Sequence, residues 1–201
     1  MAQTSITLET AKAHLANVTG TDISFNEVAG VNKITSTTTS LVNIKVGDII
    51  TVTGTTNNNK TFTVKTEATV SAPNEFTVNE TVVDENADGS TTTTLDMTGF
   101  ATEKEKGDGY FSQGDGTHTV AFYVSADLND DANIKLRMQG SLATTPAEAD
   151  WFDIDGTEIT QTQIDGSTLV FPANFTGNFV WVRAKVSGMS AGSITKILYN
   201  N

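Results

Sequence analysis

The sequence predicts an all-β protein: a small N-terminal β-barrel or sandwich module, then an antiparallel jelly-roll-like β-sandwich, with a short N-terminal arm. Three observations carry this. Threonine fills roughly one position in six of the 201-residue chain, and its β-branched side chain suits a pleated, half-exposed surface better than a helix. From Val31 onward apolar and polar residues alternate with period two, as in strands with one buried face. Clusters of Gly, Asn and Asp punctuate these runs at short intervals, as in sandwiches and barrels.

Residues 1–30 read as the arm, a short helix or a strand. Thr10 to Asn17 contains helix formers, and Leu8, Lys12, Leu15 and Val18 give a partial apolar stripe. A helix of two or three turns is marginal without packing, and an edge strand over Ser5–Leu8 followed by loop fits the same residues.

Residues 31–100 read as the small β-module. Asp48–Thr53, Thr61–Thr66 and Glu75–Asn79 alternate so that Ile50, Val52, Phe62, Val64, Phe76 and Val78 share one buried face. The turn residues Gly54–Lys60 and Ser71–Asn74 between them predict antiparallel neighbours. Thr91–Met97 completes the set after the Asp88-Gly89 turn.

Residues 101–116 read as a linker, because Glu103–Gly109 mixes charges and Gln113-Gly114-Asp115-Gly116 is another glycine turn. Residues 117–201 then read as the jelly-roll-like sandwich. Val120, Phe122 and Val124 point one way along one strand, and Ile134, Leu136 and Met138 point inward along the next, with Lys135 and Arg137 outward. The stretch Asn178–Val186 looks apolar on both faces, with Phe179 and Trp181 on one and Val180 and Val182 on the other. A strand of that kind predicts a subunit interface, and a closed ring of three is the simplest arrangement.

Charge and composition exclude several classes. A net charge of −12, from 12 basic against 24 acidic residues, argues against a nucleic-acid partner. The absence of cysteine excludes disulfide scaffolds, thiolate catalysis and cysteine zinc sites. No apolar run approaches the ~18 residues of a membrane span, and the opening residues have no cation before Lys12, so neither a membrane segment nor a secretory signal is expected.

No reaction is legible. The two histidines, His14 and His118, have no nucleophile marked beside them, and His118 is expected as an exposed polar residue opening a strand. None of the 24 acids stands out as a glycosidase pair. The strongest local motif is Asp84-Glu85-Asn86-Ala87-Asp88-Gly89, whose alternating oxygen ligands at Asp84, Asn86 and Asp88 are what a calcium loop requires. The closing bidentate Glu is replaced by Leu95, and a hairpin turn with solvated acids is the favoured reading, so no metal, cofactor or catalytic residue is expected. Asp127–Asn133 reads as an exposed loop. Trp151, Phe152, Trp181, Tyr123, Tyr110 and Tyr199 are the aromatics that could line a sugar-binding face.

The segments Val46–Gly54, Asn58–Val64 and Asn74–Val78 resemble a small β-module recurrent in virion proteins of tailed bacteriophages. The run from Phe179–Ala184 to Gly192–Ile197 is similar to the last strands of structural proteins of marine and cyanobacterial phages. The resemblance spans most of residues 31–201 and carries over no catalytic residue. It implies a non-enzymatic virion structural protein, foremost a capsid decoration or cement protein bound to the major capsid protein and assembled in the bacterial cytoplasm. A tail, neck or fibre adaptor contacting another virion protein is the first alternative, and a glycan-binding jelly roll the second.

Overall fold

A computed structural model describes residues 5–69, 71–72, 74–111, 116–130, 133–164 and 166–201. The fold is all-β, every ladder is antiparallel, and no α-helix occurs among the described residues. The chain divides into two compact units, one of Met1–His14 with Ala101–Asn201 and one of Leu15–Phe100.

The first two strands, β1 (Ile6–Glu9) and β2 (Lys12–Ala13), both pair with the last strand of the chain, β17 (Ser193–Asn200). The edge-strand reading of the opening residues is therefore the one realised, and the helix over Thr10–Asn17 is not formed. The free edge of β17 satisfies the backbone groups here, and His14 N–H extends the ladder to the Gly192 carbonyl at 3.0 Å. The described residues of the predicted arm 1–30 thus do not stand apart: β1 and β2 join the C-terminal sheet, and the strands that follow join the small module.

Within Leu15–Phe100 the strands are β3 (Val18–Gly20), β4 (Ile23–Val28), β5 (Val31–Ser36), β6 (Asp48–Thr53), β7 (Thr61–Thr66), β8 (Glu75–Val78) and β9 (Thr93–Ala101). Their order is β9-β6-β7-β8-β5-β4, and β3 pairs with β9. Since β3 and β4 run the same way with only Thr21 and Asp22 between them, they act as one bent strand. It pairs with β9 through its first half and with β5 through its second, which closes a barrel. The predicted inward set Ile50, Val52, Phe62, Val64, Phe76 and Val78 is fully buried, joined by Phe25, Ile34, Leu41, Leu95 and Met97.

The bend is held by Asp22. Its Oδ2 accepts from Ser36 Oγ at 2.6 Å, Thr38 N–H at 2.7 Å and Thr37 N–H at 3.0 Å, and its Oδ1 accepts from Thr39 Oγ1 at 3.0 Å. The Ser36 hydroxyl foremost, aided by Thr38 and Thr39 against the opposing effect of burial, holds the carboxyl far below the usual range.

The remaining strands are β10 (Glu105–Lys106), β11 (Thr117–Val124), β12 (Lys135–Ser141), β13 (Phe152–Asp153), β14 (Ile159–Thr160), β15 (Val170–Thr176), β16 (Trp181–Ser187) and β17. Four nested antiparallel pairings relate them: β1 with β17, β10 with β16, β11 with β15, and β12 with β13 and β14. Nested pairing of this kind is a long hairpin rolled on itself, the jelly roll. Cross-ladders β11·β17 and β12·β16 join these pairs into two strand runs, β1-β17-β11-β15, with β2 also on β17, and β10-β16-β12-β13/β14. The barrel is thus inserted in sequence between the first and second main strands of the roll. Pro172 sits in β15, which pairs on one side only, where a missing N–H is tolerated.

Two expectations need correction. Within the predicted linker 101–116, residues 101–111 are not free: Thr102 N–H donates to the Ala184 carbonyl at 2.9 Å and β10 is a strand of the roll, while Gln113-Gly114-Asp115 lies outside the described residues. The strand predicted over Asn178–Val186 begins at Trp181, so Phe179 and Val180 precede it. Its inner face is Val182, Ala184 and Val186, and its outer face is Trp181, Arg183 and Lys185, so it is not apolar on both sides.

Candidate functional site

The roll buries one polar array. His118 is wholly buried, contrary to the exposed position expected of it, because it shares the inward parity of Val120, Phe122 and Val124. Its Nε2 lies 3.2 Å from the Gly177 carbonyl oxygen and 3.5 Å from Asp108 Oδ2. Both partners only accept, so Nε2 carries the hydrogen and Nδ1 accepts from the Tyr199 hydroxyl at 2.7 Å. Burial pushes the Tyr199 phenol well above its ordinary value, and the charges of Asp108 and Glu105 add to this, so the hydroxyl keeps its proton. Asp108 is itself buried and accepts from Gly116 N–H at 2.7 Å.

Aromatic rings seal this array. Phe175 stacks on His118 with centroids 5.0 Å apart, Tyr199 lies nearly parallel to the imidazole at 5.8 Å and to Phe175 at 6.4 Å, and Phe179 tilts against His118 at 6.2 Å. An Asp–His–Tyr series can relay a proton in principle. Here the phenol is neutral and enclosed, and both imidazole nitrogens, the Tyr199 hydroxyl and Asp108 Oδ2 face protein partners, which makes the array a fastening between β11, β17 and the segments at Asp108 and Gly177.

The calcium candidates do not converge. Asp84 Oδ1 accepts from Glu27 N–H at 2.6 Å. Asp88 accepts from Ser90 N–H at 2.8 Å and from Thr91 N–H and hydroxyl at 2.7 and 2.6 Å, with Thr91 foremost in holding its carboxyl below the ordinary range. Asn86 is exposed. Glu85, between them, turns to Thr56 and Asn57 N–H and to the Asn58 amide; burial opposes its ionisation, but these three donors outweigh it and its pKa is lowered. No group of three His, Asp or Glu side chains that could hold a metal occurs among the described residues.

A second polar network lies on the outer face of β12 and β16. Arg183 forms a two-pronged pair with Glu148 at 3.0 and 2.5 Å, donates from Nε to Gln139 at 2.9 Å, and lies 4.3 Å over the Trp151 ring. Gln139 and Arg137 both donate to Asp153, at 2.8 and 2.6 Å. Lys185, opposite Arg137 in the ladder, has its pKa lowered by burial first, with Arg183 and Arg137 repelling its charge and Glu148 and Asp153 attracting it.

The aromatics expected on a sugar face are dispersed. Tyr199 is in the core, Tyr123 lies under Lys196 at 4.3 Å, Trp151 is covered by Arg183, and Phe152 packs toward Phe179 at 6.0 Å. Tyr110 and Trp181 alone meet, at 5.0 Å, beside Phe111. The sequence matches no protein-family model and no curated protein.

Proposed function

We propose that the chain is a non-enzymatic structural protein of a tailed-phage particle, seated on the capsid shell as a decoration protein. The observation that carries this reading is the rolled hairpin itself, with its polar interior engaged in internal fastening. Jelly rolls serve viral capsids and lectins, and the step from that fold to a virion role is one of analogy, supported by the resemblance of the β-strand segments to phage virion modules. The carboxylates whose pKa is lowered, on Asp22, Glu85 and Asp88, hold turns of the barrel rather than facing a cleft. No helix among the described residues is long and apolar enough to cross a membrane. With Arg183 and Lys185 on its outer face, β16 offers no apolar reason for self-association, so the proposed partner is a shell protein rather than a second copy.

Quantitative mass spectrometry of purified particles tests this. Hundreds of copies per particle are the result expected of a shell protein. A handful would place the chain in a tail, neck or fibre, and absence from the particle would overturn the reading.

A further inference from the structure

On the edge of the β10/β16 ladder lies a ledge of rings and ammonium groups. Tyr110 and Phe111 are 44% and 52% exposed, their rings meet edge-on at 5.2 Å, and Tyr110 leans on Trp181. Lys104 Nζ stands 4.3 Å over the Trp181 ring, and Lys106 Nζ stands 4.3 Å over Tyr110 and 5.7 Å from Phe111. Adjoining exposed rings on one edge are uncommon on a monomer surface without a partner.

Charge separates these lysines from half of the ten other cations of the chain. Lys33, Lys45, Lys135, Arg137 and Arg183 each have a carboxylate at ion-pair distance. Lys104 and Lys106 have none among the described residues, in a chain with 24 acids against 12 bases. The rings attract the ammonium groups from one side only, leaving their other side to an incoming anion.

The ledge is also rigid. Lys106 sits opposite Trp181 in the ladder, Gly107 and Gly109 N–H donate to the Val180 and Phe179 carbonyls at 3.1 and 2.8 Å, and Trp181 Nε1 donates to the Thr144 carbonyl at 3.0 Å. A Cβ on Gly107 would fall 2.4 Å from the Phe179 oxygen, so this close approach needs glycine. Preorganised Trp and Tyr rings beside cations match the composition of binding hot spots.

We infer that Lys104, Lys106, Tyr110, Phe111 and Trp181 form a docking surface for an acidic segment of a partner protein, one that sets carboxylates beside the two lysines and an apolar side chain on Phe111. This rests on the structural-protein reading above for the partner's identity, but not for its chemistry. The test uses the full chain and a fluorescent decapeptide in which Glu alternates with Phe and Leu, with a counterpart bearing Gln for Glu, followed by fluorescence anisotropy. The Glu peptide should bind at least about tenfold more tightly than the Gln peptide, and less tightly as salt is raised. Lys104→Glu with Lys106→Glu should abolish binding, Phe111→Ala should weaken it about tenfold, and Lys45→Glu should leave it unchanged. Unaltered melting of these variants shows that they fold.

Equal binding of both peptides, no binding, or indifference to the ledge substitutions would overturn the inference. So would a dimer dissolved by the double lysine variant, which would give the ledge to a second copy. Binding of oligogalacturonate but not of the peptide would give it to an anionic saccharide instead. If the peptide results hold while the protein is absent from particles, the virion reading falls and the docking surface stands.

Discussion

Tyr199 donates its hydroxyl hydrogen to Nδ1 of His118 at 2.7 Å, with both residues wholly buried and on neighbouring strands. The last strand, β17, is thereby fastened to β11, the third main strand of the roll. On its far side His118 reaches the Gly177 carbonyl and Asp108, so one imidazole joins the ends of β11 and β17 to two loops. Buried polar groups of this kind stabilise only when every member is satisfied.

The barrel should weaken in acid through Asp22. Its folded pKa is depressed, so the stability it contributes is complete above the unfolded value of about 4 and is lost as pH falls from there toward the folded value. In denaturant melts the gap between the native chain and Asp22→Asn should be widest at pH 7 and narrow below about pH 4. A gap that grows in acid would contradict the assigned role.

Adjacent residues on β12 should behave oppositely. Leu136 is fully buried, and Leu136→Ala should cost roughly 2–5 kcal/mol. Lys135 is exposed and pairs with Glu158 at 3.3 Å, so Lys135→Ala should cost at most about 1 kcal/mol. Chemical denaturation of the two variants measures both, and equal losses would show that the strand faces are misassigned.

Calcium should leave the protein unchanged. Asp84 and Asp88 are engaged with backbone N–H groups, so excess calcium is expected not to move the melting temperature. A genuine site would add about 2.7 kcal/mol at a hundredfold excess over Kd. A calcium-dependent rise abolished by Asp88→Ala would reveal one.

Strand alternation was the legible part of the fold. Ile50, Phe62, Val64, Leu136 and Met138 lie where period two puts them, because each occupies a strand with one face on a core. What alternation does not encode is which strand pairs with which. The pairing of β1 and β2 with β17 depends on an edge almost the whole chain away, and the insertion of the barrel into the roll depends on the same contact. Residues 178–182 misled because an apolar run was read as continuous strand, although Phe179 turns into the His118 cluster before the strand begins at Trp181.

The candidate polar array was half legible. His118 has the parity of Val120 and Phe122, which marks it as inward, but its polarity suggested the opposite. Tyr199, Asp108 and Gly177 could not be connected to it from spacing, since they are brought in by tertiary pairing. The ledge at Tyr110 was likewise hidden in a stretch that mixed charge and glycine suggested was linker.

A double-mutant cycle of His118→Phe and Tyr199→Phe, read by equilibrium denaturation, is the most direct test that the buried array fastens the jelly roll. Each single substitution leaves a buried polar group unpaired and should cost about 1–3 kcal/mol. The double variant should cost less than their sum, with a coupling of about 0.5–3 kcal/mol. Strictly additive losses, or single variants as stable as the native chain, would contradict it.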